Sequence, residues 1–330
     1  MLTSLSFPLL LLALSAFTPT NASKSVTNIS DCPKLTPRNG TNSVHDLRID
    51  DIKVVGALGD SITAGFGILG YDATLPPLLG LLDSYNEYRG LSYSIGGDEK
   101  AYTVPNYIKH FQPRLNGYST GKHIGEYCNA DNCAANYLPD QDELNAAQSG
   151  AIAMNLDHEL DYLIKQMRNM KNIDFDKDWK MINIQIGSND MCGACNTSYS
   201  DEVTPDKFGN YVEKVIERIE RNIPRVLINL IGTFNVSEVF PLTANHPEYC
   251  HNQNATNGKE HHSCACSATP EGLATLYNLS AAYNERLYSI YKKYQKTKKD
   301  DFAVVYQQSN INISGFPLDF FRYNKLFFGN

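Results

Sequence analysis

The sequence predicts an α/β fold in which a parallel, doubly wound sheet is covered by helices. Three observations favour this fold: short apolar runs rich in β-branched residues, amphipathic segments that alternate with them, and glycines at the ends of several runs. Parallel strands are buried on both faces and so appear as continuous apolar runs, whereas surface helices show a 3.6-residue period. With 330 residues, 42% of them hydrophobic, the chain can form the core of one large domain.

Each element is predicted from its own local pattern. The apolar runs assigned as strands are residues 52–58, 91–95, 144–148, 181–186, 225–231 and 302–307. The segments assigned as helices have apolar residues three or four positions apart and are residues 104–111, 156–170, 208–219 and 272–296. Strands that alternate with helices in this order favour a parallel sheet.

The first 22 residues have the pattern of a secretory signal peptide. Their apolar stretch, residues 7–17, is too short to span a bilayer and is followed by small residues. We therefore expect a secreted, extracellular protein with no transmembrane helix beyond the signal. Residues 23–50 are expected to form an N-terminal arm, residues 51–321 the main domain, and residues 322–330 a divergent tail.

Two further patterns favour a secreted glycoprotein. Acceptor sequons for N-glycosylation occur at Asn28, Asn39, Asn196, Asn235, Asn254, Asn278 and Asn312. The eight cysteines suit disulfide bonds in an oxidising compartment, although their connectivity cannot be deduced from the sequence. The net charge of −7 and the lack of a basic patch other than residues 292–299 argue against nucleic-acid binding.

The stretch with the strongest chemical signal is residues 52–67, IKVVGALGDSITAGFG. Its apolar run leads directly into Gly59-Asp60-Ser61, and Gly59 permits a sharp turn at the carboxyl end of the predicted strand. Ligands of open α/β sheets bind at that edge. Ser61 is therefore a candidate nucleophile at the start of the next helix. The alternative is that Ser61 is only a helix N-cap.

Two other candidate site residues follow predicted strands. Gly97 comes after residues 91–95, and Asn189 comes after residues 181–186. Because parallel strands end at the same edge of a sheet, these positions can converge with Ser61. A nucleophile with two or three hydrogen-bond donors beside it suits acyl transfer, in which the donors stabilise an oxyanion.

Several blocks resemble the GDSL (SGNH) hydrolases, and in particular their phospholipase B-like branch. These blocks are Gly59-Asp60-Ser61-Ile62-Thr63-Ala64-Gly65, Tyr88 to Asp98 (YRGLSYSIGGD), Thr103-Val104-Pro105-Asn106, Asn145-Ala146-Ala147 with Ser149-Gly150-Ala151, Gly187-Ser188-Asn189-Asp190 and Cys192-Gly193-Ala194-Cys195. Their order and spacing extend the resemblance over roughly residues 30–320.

The resemblance implies an SGNH-hydrolase fold, a flavodoxin-like three-layer sandwich with a central parallel sheet. It also implies a phospholipase or lysophospholipase that acts through an acyl-serine intermediate, without a cofactor or a metal, on phospholipid or lysophospholipid at a membrane surface. Ser61 would be the nucleophile. The N–H groups of Ser61 and Gly97 and the side-chain amide of Asn189 would form the oxyanion hole.

The chain departs from the family at its last block, Asp-x-x-His. Here Asp319 is followed three residues later by Arg322, whose guanidinium cannot act as a base, and no histidine follows His262. We therefore expect a chain of these 330 residues to be weakly active or inactive. His251, three residues after Glu248, is an alternative base. A non-catalytic lipid- or ester-binding glycoprotein on the same fold is the alternative function.

Three patterns that suggest other sites are less convincing. Gly65, Gly67 and Gly70 fit the dinucleotide fingerprint but do not directly follow the strand. The histidines and cysteines of residues 246–266 have poor spacing for tetrahedral zinc, so disulfides and surface histidines are favoured. Cys192-x-x-Cys195 does not open a thioredoxin-like helix, which favours structural disulfides.

Overall fold

The computed structural model describes residues 28–70, 74–134, 136–196, 198–244 and 264–315. The chain divides into two compact units, residues 1–34 and residues 35–330. The described part of the first unit holds one 3-10 turn, Ile29–Asp31, and Cys32, which has no disulfide partner among the described residues. The predicted signal peptide, the predicted tail, His251, Asp319 and Arg322 lie outside the described residues.

The second unit contains the sheet and the long helices. Its strands are β1 (Ile52–Gly59), β2 (Asn86–Glu87), β3 (His123–Ile124), β4 (Cys128–Asn129), β5 (Asn132–Cys133), β6 (Trp179–Gln185), β7 (Val226–Ile231) and β8 (Phe302–Gln307). Its α-helices are α1 (Ser61–Ala64), α2 (Pro77–Ser84), α3 (Val104–Phe111), α4 (Pro139–Asp142), α5 (Leu156–Asn169), α6 (Ser188–Gly193), α7 (Pro205–Asn222), α8 (Val239–Ala244) and α9 (Pro270–Tyr294). Short 3-10 helices occur at Val44–Asp46, Ile49–Asp51, Arg89–Leu91, Ala153–Asn155, Ser200–Val203, Val236–Glu238, Ala265–Ala268 and Ile313–Gly315.

The main sheet has the strand order β1-β6-β7-β8, and all of its strands are parallel. The predicted α/β fold with a central parallel sheet is therefore confirmed. On the free side of β1, Val54 and Ala57 each form a single parallel bridge, to Asn116 and Asn145. The predicted strand at residues 144–148 is thus reduced to one bridge beside β1.

The prediction of a strand at residues 91–95 is wrong. This segment follows the 3-10 helix Arg89–Leu91 and forms a turn, in which the N–H of Gly96 donates to the carbonyl of Ser92 at 2.8 Å. Gly96 also lies against the backbone of Gly90, where an added Cβ would come within 2.4 Å of the carbonyl oxygen. The two glycines bring the segment back on itself, so its backbone groups are not available for the sheet.

The core is divided between the two faces of the sheet because side chains alternate along a strand. Val54 and Leu58 of β1 belong to the larger cluster, which includes the buried stripes of α5, α7 and α9. Val55 and Ala57 belong to a smaller cluster with Ile108 of α3. Helices on both faces of the sheet make three layers.

The long helices follow their predicted periodicity. In α7 the buried apolar residues are Phe208, Val212, Val215, Ile216 and Ile219, as their spacing predicts. The helix begins after Thr204, whose hydroxyl accepts a hydrogen bond from the N–H of Lys207, and Pro205 occupies its first turn. Each fully buried aliphatic or aromatic side chain of this kind stabilises the fold by about 1.5–3 kcal/mol.

Three disulfides join segments outside the main sheet. Cys128 pairs with Cys133, and two adjacent bonds, Cys192–Cys264 and Cys195–Cys266, connect the region of α6 to the residues before α9. The predicted use of disulfides is confirmed, and the partners of Cys192 and Cys195 are now identified. No helix in the described part of the chain is long and apolar enough to cross a membrane.

Candidate active site

Ser61 lies at the first position of α1, directly after the carboxyl end of β1. The N-cap of this helix is Asp60, whose Oδ1 accepts a hydrogen bond from the N–H of Ile62 at 3.0 Å. The alternative interpretation of Ser61 as a capping residue therefore does not hold. Among the described residues, neither the hydroxyl nor the backbone N–H of Ser61 has a hydrogen-bond partner, and the residue is half-buried.

The turn that presents Ser61 requires a glycine at position 59. A Cβ on Gly59 would lie 2.3 Å from the backbone oxygen of Gln185 and 2.6 Å from Oγ1 of Thr63. The N–H of Gly59 donates to Oε2 of Glu159 at 2.8 Å. The end of β1 is thus held by close packing on β6 and by a hydrogen bond from its backbone to a buried side chain of α5.

The carboxylates around this turn are buried. Burial raises the pKa of Asp60 to about 6, against the lowering effect of the Ile62 N–H and the nearby Ser188. Burial also raises the pKa of Glu159 well above its usual range, although the N–H of Gly59 opposes this. Burial thus disfavours the ionised form of Glu159, whose Oε2 holds the turn by accepting the hydrogen bond from the N–H of Gly59.

The segment that carries Asn189 reaches the turn before Ser61, because β1 and β6 are parallel neighbours and Ser188 hydrogen bonds with Asp60. Strand β6 ends at Gln185 and Gly187 is the N-cap of α6, and the side-chain amide of Asn189 donates to the carbonyl of Ala151 at 2.9 Å. The next residue, Asp190, accepts the N–H of Ala153 at 3.0 and 3.2 Å, and burial raises its pKa to about 7. These contacts fix residues 151–153 against the start of α6.

Gly150 is a candidate donor that the sequence prediction missed. It follows the segment that bridges to β1 at Asn145, and it directly precedes Ala151, the partner of Asn189. Glycine is favoured here because its φ is +81° and because an added Cβ would lie 2.5 Å from the carbonyl oxygen of Cys128. In the part of the chain that the structure describes, no acceptor is bonded to the Gly150 N–H.

Gly97 is in a different situation. Its N–H donates to the carbonyl of Ser119 at 2.8 Å, and its own carbonyl accepts a hydrogen bond from Nζ of Lys109 at 3.0 Å. An added Cβ would lie 2.0 Å from the ring of Tyr118, so close packing alone explains the glycine. The role of Gly97 as an oxyanion donor stays a prediction, and its N–H already donates to Ser119.

The sequence does contain a signal that could have identified Gly150 as a candidate donor. This signal is the Ser149-Gly150-Ala151 block, which follows residues 144–148.

The described histidines are His45, His110, His123 and His158. His123 forms a pair with a carboxylate: Nε2 lies 2.7 Å from Oδ1 of Asp142, and Nδ1 lies 2.8 Å from the carbonyl oxygen of Ile124. Burial opposes the charged form, but the hydrogen bonds to Asp142 and Ile124 outweigh it and raise the pKa of His123. Since both nitrogens of the ring are engaged, His123 has no free site with which to accept the proton of Ser61.

His158 is also engaged, because its Nε2 contacts the carbonyl oxygen of Ala134 at 3.3 Å and its ring stacks on Tyr137. Within the described ranges, no histidine forms a hydrogen bond with Ser61 or Asp60. The predicted alternative base, His251, lies outside these ranges. The site therefore contains a candidate nucleophile and candidate donors, and no candidate base is found among the described side chains.

One group of side chains has ligand types suited to a metal. The ligand atoms of His123, Glu126 and Asp142 lie within 4.8 Å of one another. However, Nε of Arg89 lies 3.2 Å from Oδ1 of Asp142, the same oxygen that contacts His123. The guanidinium of Arg89 also pairs with Glu87 at 2.6 Å. The guanidinium of Arg89 thus already compensates the negative charge of Asp142 and Glu87. The group also hydrogen bonds with residues 145–149, which indicates a structural network.

Comparisons of the sequence with known proteins identify a family and several relatives. A model of the GDSL-like Lipase/Acylhydrolase family matches residues 55–324. The chain is 33% identical over 278 residues to mouse "Phospholipase B1, membrane-associated" and 34% identical over 279 residues to the rat protein of that name. The human protein is 33% identical over 278 residues. Each match covers 82% of this chain but only 17% of the relative's length.

Proposed function

Because this chain belongs to the GDSL-like lipase/acylhydrolase family and carries its ester hydrolase domain, we propose that Ser61 is the nucleophile that forms an acyl-enzyme. The observation that carries this proposal is the position of Ser61. It begins α1 at the carboxyl end of β1, its side chain does not cap the helix, and its hydroxyl has no partner among the described residues. A serine with only a structural role would be expected to use its hydroxyl locally.

We propose that the oxyanion is stabilised by the N–H groups of Ser61 and Gly150 and by the side-chain amide of Asn189. Gly150 replaces the predicted Gly97 in this proposal because the N–H of Gly97 already donates to Ser119. Asn189 uses one amide hydrogen on Ala151, which leaves the other for the substrate. Removing one such donor costs about 2.7–4 kcal/mol of transition-state stabilisation in enzymes where it has been tested.

We propose a phospholipid or lysophospholipid substrate, and this rests on the names of the relatives, which are called "Phospholipase B1, membrane-associated". We also propose that the protein is a secreted glycoprotein. Support comes from the signal-like residues 1–22, the seven N-glycosylation sequons that follow them and the three disulfides, which persist in oxidising compartments.

We propose that a chain of these 330 residues turns over esters slowly. The sequence has Arg322 where the family pattern Asp-x-x-His would place a histidine after Asp319. The described histidines do not supply a substitute, because none contacts Ser61. Loss of one member of a serine triad leaves only the rate enhancement from binding and from the oxyanion hole, about 10³–10⁴ over water in the enzymes measured.

A fluorophosphonate probe tests the proposed nucleophile. We expect labelling of the full chain at Ser61, detected by peptide mass spectrometry, and no labelling of Ser61→Ala. The matched control is Ser289→Ala, which removes the hydroxyl of an exposed serine on α9 that bonds the carbonyl of Glu285. Ser289→Ala should label like the wild type. Labelling that persists in Ser61→Ala would show that another residue is the nucleophile.

The same experiment tests the second candidate function, a non-catalytic lipid- or ester-binding protein. The observation in its favour is that no described histidine reaches Ser61. If Ser61 stays unlabelled at high probe concentration while the folded protein still binds lysophospholipid in equilibrium dialysis, the binding function is supported. In that case the hydrolase function fails for this chain.

A further inference from the structure

Helix α2 presents an apolar surface that no described residue covers. Leu78, Leu79 and Leu82 are 68%, 52% and 51% exposed, respectively. We call these three side chains the leucine face. Leu82 is a helical neighbour of both other leucines, since it lies four positions after Leu78 and three positions after Leu79 in α2. Scattered exposed leucines need no explanation, but three on one turn of a short helix form a patch of the kind that marks an interaction site.

The surroundings of the leucine face extend it. Tyr85 follows α2 and is exposed, and its carbonyl accepts the N–H of Gly125 at 2.9 Å. This hydrogen bond brings the exposed Ile124 and Tyr127 to the same region. Tyrosines at the border of an apolar patch suit the boundary between lipid and water, because one end of the ring is apolar and the other is polar.

The patch is electrically neutral. From residue 74 to residue 85 the only charged side chain is Asp83, and its Oδ1 pairs with Nζ of Lys122 at 2.5 Å. The hydroxyl of Tyr88 donates to the other oxygen of Asp83 at 2.9 Å. The Lys122 hydrogen bond lowers the pKa of Asp83, which therefore stays ionised and compensated. A neutral apolar face on a chain of net charge −7 fits hydrocarbon better than an anionic surface.

The patch is continuous with the candidate active site. The carbonyl of Ser61 accepts the N–H of Phe66 at 2.9 Å, so Phe66 lies at the end of the nucleophile's own helix. The ring of Phe66 contacts those of Tyr85 and Tyr127 edge to face, with centroids 6.2 and 5.8 Å apart. The rings of Phe66, Tyr85 and Tyr127 therefore connect the region of the leucine face to the helix that begins with Ser61.

We propose that the leucine face is a docking surface for the acyl-chain region of an uncharged or zwitterionic lipid surface. It would hold the protein at the lipid–water boundary with Phe66, Tyr85 and Tyr127 between the lipid and Ser61. This proposal rests on the proposed function for the direction of delivery to Ser61. Binding of the surface itself does not require catalysis, so the two can fail separately.

The test is vesicle binding by the full chain carrying Ser61→Ala, which removes hydrolysis from the measurement. Phosphatidylcholine vesicles are used in a flotation assay. Leu78→Ser/Leu79→Ser/Leu82→Ser should lower the partition coefficient by about tenfold or more, because three inserted apolar side chains are lost. The control variant Tyr277→Ser/Tyr288→Ser/Ile311→Ser removes three other exposed apolar side chains and should bind unchanged.

Two conditions sharpen the assignment to lipid. Since the patch is neutral, binding should be nearly the same from about 50 to about 500 mM salt, whereas an electrostatic contact would weaken. Phosphatidylglycerol vesicles should bind no better than phosphatidylcholine vesicles. Stronger binding to the anionic vesicles would overturn the neutral docking surface in favour of a charged one.

A second variant guards against misfolding of the triple mutant. Leu78→Trp places a fluorophore on the leucine face, and the native Trp179 is buried and gives a constant background. Its emission should shift to the blue when phosphatidylcholine vesicles are added. No shift, or unchanged flotation of the folded triple variant, would overturn the proposal. A dimer in sedimentation velocity that depends on the leucine face would also overturn it, since a second copy would then be the occupant.

If the chain binds vesicles through the leucine face but hydrolyses neither a soluble short-chain ester nor phospholipid, the docking surface stands and the proposed function fails. If it hydrolyses the soluble ester and does not bind vesicles, the proposed function stands and the docking surface fails. A third outcome uses the triple leucine variant with Ser61 retained. If this variant loses hydrolysis of vesicle phospholipid but hydrolyses the soluble ester at an unchanged rate, both the docking surface and the proposed function are supported.

Discussion

Removal of the two adjacent disulfides should show strong non-additivity. Cys192–Cys264 and Cys195–Cys266 span 72 and 71 residues and lie side by side. In the chain-entropy relation, the first bond across this segment stabilises the fold by about 4.4 kcal/mol at 25 °C. Once it exists, the second bond closes a ring of only about seven residues and adds about 2.4 kcal/mol by the same relation.

We therefore expect that replacing either pair with serines lowers the free energy of unfolding by about 2–3 kcal/mol, and that replacing both lowers it by about 7 kcal/mol. The coupling of about 2 kcal/mol is well above the error of additivity for independent sites. The assay is urea unfolding of the oxidised proteins by circular dichroism.

The Cys128–Cys133 pair, with a separation of five residues, is the control, since its removal should cost about 2 kcal/mol and add simply to the others. Costs of about 4 kcal/mol for each single pair, with an additive double loss, would refute the argument that both bonds close the same loop. A loss below about 3 kcal/mol for the double removal would refute the long-range pairing itself.

Four other outcomes can be measured. Arg322→His, which completes the Asp-x-x-His pattern, should raise turnover of p-nitrophenyl butyrate by about 100-fold or more, and an unchanged rate would show that this position does not limit activity. Asn189→Ala in that variant should reduce kcat by about 10²–10³ with little change in KM, as expected for an oxyanion donor; a change in KM alone would count against that role. The folded-state pKa values of Asp60 (about 6) and Asp190 (about 7) exceed their usual values, so these acids bind more protons in the folded state than in the unfolded state. The free energy of unfolding should therefore fall as pH rises from about 4 to about 7, and Glu159→Gln should make this fall smaller. Melting temperatures that stay constant across this range would contradict the raised pKa values. Gly59→Ala should destabilise the protein by more than about 3 kcal/mol in urea unfolding, because the new Cβ meets the backbone of Gln185; a loss under about 1 kcal/mol would show that the turn can relax.

The sheet and the long helices were predictable because their signals are local. Residues 52–58, 181–186, 225–231 and 302–307 correspond to β1, β6, β7 and β8, and residues 156–170 correspond to α5. For each of these segments, the pattern of apolar residues within the segment predicts which side chains are buried. Helix ends also followed local chemistry, as at Thr204 and Pro205.

The segment between β1 and α5 was not predictable in the same way. Residues 91–95 have the composition of a strand, yet their backbone bonds are satisfied within the loop and by Ser119, whose N–H donates to the carbonyl of Ile95. That geometry depends on the approach of Gly90 to Gly96, which no local pattern encodes. The disulfide partners were likewise undetermined, since pairing depends on which segments meet in three dimensions.

The candidate site likewise contains residues that local sequence patterns predict and residues that they do not. Ser61 and Asn189 follow strands of the main sheet, so the placement of both at one sheet edge could be predicted from strand ends. The prediction of Gly97 depends on a strand at residues 91–95, which does not form. Gly150 follows the segment that bridges to β1, and only the three-dimensional hydrogen bonding shows that its N–H has no acceptor among the described residues.

The position of β1 in the sheet also has a consequence for synthesis of the protein on the ribosome. The strand partner of β1 in the main sheet is β6, and Leu58 pairs with Ile184, far later in the chain. At about 5–20 residues per second, roughly 6–25 seconds of translation separate the two strands. During that interval the buried residues of β1 have no β6 to pair with, although the strand is among the most apolar stretches of the chain. Assembly of the sheet is therefore a late event in the life of the nascent chain, and the turn that carries Ser61 takes its final form only after β6 has emerged.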